Sequence, residues 1–224
     1  MIIKVCGMRD SDNIRAVEQL GVDWIGMIFW PQSPRFVRMI PTGAGIIPDR
    51  ASADTAPTGK GTRRVGVFVD ASTQDIITRI VNYNLDLVQL HGNETPTFIR
   101  NLRATVSPEI RPDIRIIKAI SVDCGEDIDR YRDYEDCVDY FLFDTRCTAM
   151  GGSGRQFDWT VLDRYKGSKP FLLSGGIGPD DAAAVKGIAH PMFAGIDLNS
   201  RFETSPGVKD IPALRQFINN IRKA

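Results

Sequence analysis

Two periods of hydrophobicity share this chain. Short apolar runs recur, and between them lie stretches with the three-to-four-residue apolar spacing of an amphipathic helix. The runs fall near residues 1–6, 23–29, 64–69, 85–90, 114–119, 138–143, 170–173 and 192–196. Helical spacing is read near 11–20, 72–82, 94–104, 125–135, 179–187 and 208–222. Asp10 or Ser11 is placed to cap the first helix and Gly21 to stop it. Residues 41–63, where a second helix is due, carry three prolines and little periodicity, and read as an irregular loop. Short apolar strands alternating with helices predict a parallel sheet buried on both faces. The expected architecture is α/β, a (β/α)8 TIM barrel with a weak or irregular second helix, one domain over 1–224. A doubly wound open sheet is the runner-up, but no GxGxxG follows the first strand.

The strand pattern also locates the chemistry, because side chains on a strand alternate between faces. Ile3 and Val5 read as the face beneath the helices, so Lys4 and Cys6 look inward. A lysine and a thiol are poor material for a dry core. Barrel active sites gather at the C-terminal strand ends. Here those ends supply Cys6, Asp70, Gln89 and His91, Lys118, Asp144, Gly175 and Gly176, and Asp197 followed by Asn199 and Ser200. Cys6 and Asp144 are the acid/base candidates. A free thiol has a pKa of about 8.5, so a few per cent is thiolate at neutral pH. A structural thiol at 6 and an ion-paired aspartate at 144 are the competing readings. Lys4 and Lys118 are expected to neutralise Asp144 and Asp197 inside the barrel. Gly175-Gly176, ahead of a helix expected from about Pro179, suits an anion. Arg35, on a loop between prolines, suits a planar carboxylate. His91 suits a barrel lining or a substrate contact.

Composition narrows the partners. Lys+Arg and Asp+Glu are equal at 28 each among 224 residues. Zero formal charge gives no basic footprint for nucleic acid and no polybasic membrane anchor. No apolar run approaches the ~20 residues of a membrane span. Met1 leads into a strand without a basic leader, so a cytoplasmic protein is expected. Cys6, Cys124, Cys137 and Cys147 form no CxxC pair, and there are two histidines. That argues against a metal site and a disulfide framework; Cys124, Cys137 and Cys147 read as free thiols.

Several segments resemble the phosphoribosylanthranilate isomerase family. They are Lys4-Val5-Cys6-Gly7-Met8, Ser33-Pro34-Arg35, Val65-Gly66-Val67-Phe68-Val69, Gln89-Leu90-His91-Gly92-Asn93-Glu94 and Ile117-Lys118-Ala119. Gly151-Gly152-Ser153-Gly154 with Phe157-Asp158-Trp159, Ser174-Gly175-Gly176-Ile177 and Gly207-Val208-Lys209-Asp210 follow in family order. The resemblance implies a (β/α)8 barrel that converts N-(5-phosphoribosyl)anthranilate to 1-(2-carboxyphenylamino)-1-deoxyribulose 5-phosphate. It implies Asp144 as general acid, Cys6 as general base, Arg35 toward the anthranilate carboxylate, and Gly175-Gly176 with Asn199-Ser200 around the phosphate. His91 and Asp197 complete the expected substrate-binding set. No metal or organic cofactor is expected, and the state is expected to be a monomer or homodimer. One departure stands out: where the family commonly has Ser-Ser-Gly-Val-Glu, this chain has Asn199-Ser200-Arg201-Phe202-Glu203. The nearest alternatives are indole-glycerol-phosphate synthase, a ribulose-phosphate epimerase, or a non-catalytic barrel binding a phosphorylated metabolite or flavin. The first would want a catalytic lysine and glutamates, the second more histidines, and the third neither Cys6 nor Asp144.

Overall fold

The structure is a computed structural model and describes residues 1–38, 61–107, 109–145 and 159–223. Eight strands pair in sequence order, all in parallel, and the last closes onto the first. They are β1 (Ile2–Val5), β2 (Trp24–Ile28), β3 (Arg63–Phe68), β4 (Leu87–Leu90), β5 (Arg115–Val122), β6 (Tyr140–Thr145), β7 (Phe171–Ser174) and β8 (Phe193–Leu198). The barrel is therefore the expected fold, and the open sheet is excluded by the β1–β8 pairing.

Two apolar layers follow from strand alternation. Trp24, Val65, Leu87, Ile117, Ala119, Leu142 and Leu172 fill the barrel interior. Ile3, Val5, Ile25, Val88, Ile116, Ile120, Phe141, Phe143 and Leu173 belong to the larger core, which extends to the helices. Lys118 stands between interior Ile117 and Ala119, so it points outward, not into the barrel. It bonds Glu94 at 3.0 Å and the Gly92 carbonyl at 2.7 Å. The expectation that Lys118 neutralises an aspartate inside the barrel is thus corrected: its partner is Glu94. Lys4 does as expected and meets Asp197 at 2.8 Å, its direct partner in the β1–β8 register.

The helices form where caps and apolar stripes coincide. They are α1 (Ser11–Glu18), α2 (Thr73–Tyr83), α3 (Pro96–Val106), α4 (Gly125–Ile128), α5 (Ala182–Lys186) and α6 (Ile211–Arg222). Asp10, Ser72, Thr95 and Asp210 each accept a backbone N–H in the first turn of α1, α2, α3 and α6. Three expected helices differ. The one near 125–135 is a single α turn continued as a 3₁₀ helix over Asp129–Asp133. The one near 179–187 shrinks to α5. The start of the one near 208–222 is given over to a hairpin of β9 (Glu203–Ser205) and β10 (Val208–Lys209). Pro206-Gly207 makes the turn, with Gly207 at φ +85°. Most of the irregular 41–63 stretch lies outside the described residues, as do Cys147 and the glycine-rich 151–154 segment. Cys6, Cys124 and Cys137 are free thiols.

Candidate active site

One pocket opens at the C-terminal strand ends. Cys6, His91, Asp144, Gly175, Gly176, Asp197, Asn199 and Ser200 all line it, together with Gln89, Ser174 and Arg201. Ile28, Val67 and Ile177 form its apolar walls. Inward alternation explains the convergence: Lys4 and Cys6, Gln89 and His91, Leu142 and Asp144, and Asp197 and Asn199 are each two residues apart. Arg35 is the one expected site residue outside the lining. It lies beside Gly7 and Asn199, since a Cβ on Gly7 would stand 2.6 Å from Arg35 Cδ and 2.8 Å from Asn199 Oδ1. Its guanidinium donates to Glu203, with Nε at 2.9 and 3.0 Å and Nη2 at 2.6 Å.

Cys6 sits at the floor of the pocket and is 4% exposed. Glycine at 26 makes room for it, because a Cβ there would come within 2.8 Å of the Cys6 Sγ. Burial pushes the thiol above its ordinary value; Lys4 and Lys209 pull it down, Asp197 pushes it further up, and burial prevails. Lys4 thus offsets part of the desolvation without making Cys6 a resting thiolate. Lys4 itself is held above its ordinary value. Its own burial lowers it, but the charges and hydrogen bonds of Asp197 and Cys6 together outweigh that. Asp197 Oδ2 accepts from Lys4, while its buried Oδ1 has no hydrogen-bond partner among the described residues. Burial raises its carboxyl, and nearby Asp144 adds to the rise against the opposing pull of Lys4.

Across the mouth, His91 Nε2 lies 3.3 Å from Asp144 Oδ2, and the side chains are 27% and 29% exposed. Gln89 Nε2 meets the other ring nitrogen of His91 at 3.2 Å. Gln89 therefore fixes the imidazole edge that faces Asp144. At the third side, Gly175 has φ +98° and Gly176 φ +67°. A Cβ on Gly175 would collide with the Thr145 carbonyl, so only glycine brings this turn across β6. The helix expected from Pro179 starts later, and the Gly178 N–H is taken by Asp181 Oδ2 at 2.7 Å.

Behind Asn199 lies a charged cluster that strand-end reasoning missed. Lys209 donates to Asn199 Oδ1 at 2.8 Å and to Glu203 Oε1 at 2.7 Å. Glu203 thus serves both Arg35 and Lys209. Burial pushes its carboxyl up, but those hydrogen bonds win and hold it below the usual carboxylate range. The signal was present in the sequence: a Pro-Gly turn between an acid and a lysine marks a hairpin whose ends meet. Among the described residues, no cluster of three or more His, Cys, Asp or Glu could hold a metal ion. Again among them, no helix is long and apolar enough to cross a membrane.

The chain is a closed (β/α)8 barrel whose C-terminal mouth gathers a thiol, an imidazole and two carboxylates in one pocket. Comparison with known proteins narrows the class. The family model described as N-(5'-phosphoribosyl)anthranilate (PRA) isomerase matches residues 3–220, and the chain belongs to that family. A relative of that name from Parabacteroides distasonis is 47% identical over 221 residues, covering 99% of this chain and 93% of that protein. Another, from Phocaeicola vulgatus, is 43% identical over 223 residues, covering 100% and 98%. Among solved structures, phosphoribosyl anthranilate isomerase from Thermotoga maritima superimposes with a TM-score of 0.75 at 28% identity, covering 99% of both chains. A phosphoribosyl anthranilate isomerase in complex with reduced 1-(o-carboxyphenylamino)-1-deoxyribulose 5-phosphate gives 0.73 at 26% identity, covering 99% of both.

Proposed function

We propose that this chain, as one barrel domain and as a monomer or homodimer in the cytoplasm, isomerises N-(5-phosphoribosyl)anthranilate to 1-(2-carboxyphenylamino)-1-deoxyribulose 5-phosphate in tryptophan biosynthesis. The observation that carries the reading is one pocket holding both Cys6 and Asp144 in a chain of this family. Asp144, carrying a proton at the start, gives it to the ribose ring oxygen. The C1′–O bond breaks as the nitrogen lone pair forms the C=N bond of a cationic Schiff base. Cys6, as thiolate, removes the C2′ proton, and the electron pair neutralises the imine to an enolamine, which tautomerises to the ketone. The imine is the electron sink, so the steps draw on no other group.

The surroundings fit those tasks. Burial holds the Cys6 thiol above its ordinary value, and a cationic Schiff base at C1′ is the charge that would favour its thiolate. His91, at 3.3 Å from Asp144, is placed to supply or hold the acid's proton. Asp197 Oδ1, buried and without a partner among the described residues, is placed to accept from the substrate N–H. Gly175, Gly176, Asn199 and Ser200 sit together where the phosphate would rest. Arg35 has one edge clamped by Glu203, and its Nη1, which has no partner among the described residues, is placed to meet the anthranilate carboxylate. Neither nucleic acid nor membrane enters this scheme; the ligand is a small phosphosugar.

The test is direct. Purified protein mixed with freshly formed phosphoribosylanthranilate should remove its anthranilate-type fluorescence faster than the spontaneous background. Loss only at the background rate contradicts the reading.

A further inference from the structure

The cations around this pocket are nearly all spoken for. Lys4 is held by Asp197, and Arg35 and Lys209 by Glu203. Arg201 differs. It is the one lysine or arginine in the pocket lining, and it makes no hydrogen bond or ion pair among the described residues. Its backbone is fixed nonetheless. It occupies the 3₁₀ turn Ser200–Phe202, and Phe202 is fully buried, 5.0 Å from the Phe217 ring between centroids. With Phe202 anchored below, the exposed Arg201 stem runs along the Gly178 backbone: a Cβ on Gly178 would stand 3.9 Å from Arg201 Cβ and 4.0 Å from its Nε. The nearby Asp181 carboxylate accepts from the Gly178 N–H.

We propose that Arg201 is a specificity-determining residue: it is the cation that selects the phosphate dianion of the substrate at the Gly176–Ser200 side of the pocket. The reasoning rests on the proposed isomerase reading for the identity of the ligand. A fork-shaped, permanently charged group matches phosphate oxygens, and an uncommitted one gains a partner without breaking an existing pair. The glycine expected at this position could offer only backbone. Arginine adds charge where the Gly178 N–H is already taken. Because the side chain is exposed, its contribution is moderate and weakens with salt.

Inorganic phosphate titrated into wild type and Arg201→Gln, followed by thermal shift, reads the site without turnover. Steady-state kinetics on the same proteins reads the substrate. Arg201→Gln should raise the phosphate dissociation constant and the KM by roughly 5- to 10-fold, with kcat within about 2-fold. Arg201→Lys should recover most of the KM, and raised ionic strength should shrink the wild-type advantage. Equal phosphate affinity in wild type and Arg201→Gln overturns the assignment. If wild type does not turn over the aminosugar at all, the isomerase reading fails, and the phosphate titration alone still decides Arg201.

Discussion

Lys4 and Lys118 are both buried, both on barrel strands and both paired with a carboxylate, yet they face opposite sides of the sheet. Lys4 points into the barrel and touches Asp197 beside Cys6. Lys118 points out, under the helices, and closes a ring of Leu90 O, Gly92 O and Glu94, with the Tyr134 ring 5.5 Å away. Their titrations part accordingly. Burial lowers both; the Asp197 and Cys6 charges reverse this for Lys4, whereas Glu94 does not for Lys118, which stays below its ordinary value. A buried lysine is thus no guide to function by type alone. Inside the barrel it shifts the titration of the Cys6 thiol, and outside it ties strand ends to a loop.

That contrast can be broken at several points. The largest effect is expected at the thiol itself: Cys6→Ser should lower turnover by at least about 10²-fold with little change in melting temperature. Lys118→Met should do the reverse. It strands the buried Glu94 and costs about 3–5 kcal/mol in denaturant unfolding, while the folded fraction keeps kcat within about 2-fold. Lys4→Met should show both losses, because it strands Asp197 and removes a charge that favours thiolate; turnover falls roughly tenfold or more. Equal kinetic behaviour of the two lysine variants would dissolve the distinction.

Smaller effects sharpen it. Inactivation by iodoacetamide, followed against pH, should show Cys6 reacting with an apparent pKa above the usual value of about 8.5, since burial outweighs Lys4 and Lys209. At the acid end, the Glu203 carboxyl is lower in the folded chain than in the unfolded one. Its contribution to stability is therefore present above about pH 4.3 and lost as pH falls through the folded value. Glu203→Gln should flatten that part of the stability profile in urea titrations.

Much of this was legible because strand alternation and strand ends are local patterns. Ile3 and Val5 against Lys4 and Cys6 gave the right faces, and eight of the nine expected site residues share one pocket. The same rule failed at Lys118 because β5 runs to Val122, so Lys118 is mid-strand and its face follows Ile116 and Ile120. Counting strand ends from the apolar run alone put it at the mouth. The pairing of Arg35 with Glu203 was not legible, because the two are 168 residues apart and no local spacing reports that distance. Helix lengths after β5 and β7 were overestimated for a related reason. Packing of Tyr131 on Tyr165, with ring centroids 4.6 Å apart, accompanies a 3₁₀ continuation that an apolar count cannot separate from an α-helix.

The central claim is that this pocket works as an acid/base pair at opposite sides of one sugar. Its most direct test is the turnover of Asp144→Asn on freshly formed phosphoribosylanthranilate, with melting temperature measured in parallel. The account predicts a fall of at least about 10²-fold in a protein that melts within a few degrees of wild type. Near-normal turnover in the folded variant would contradict it.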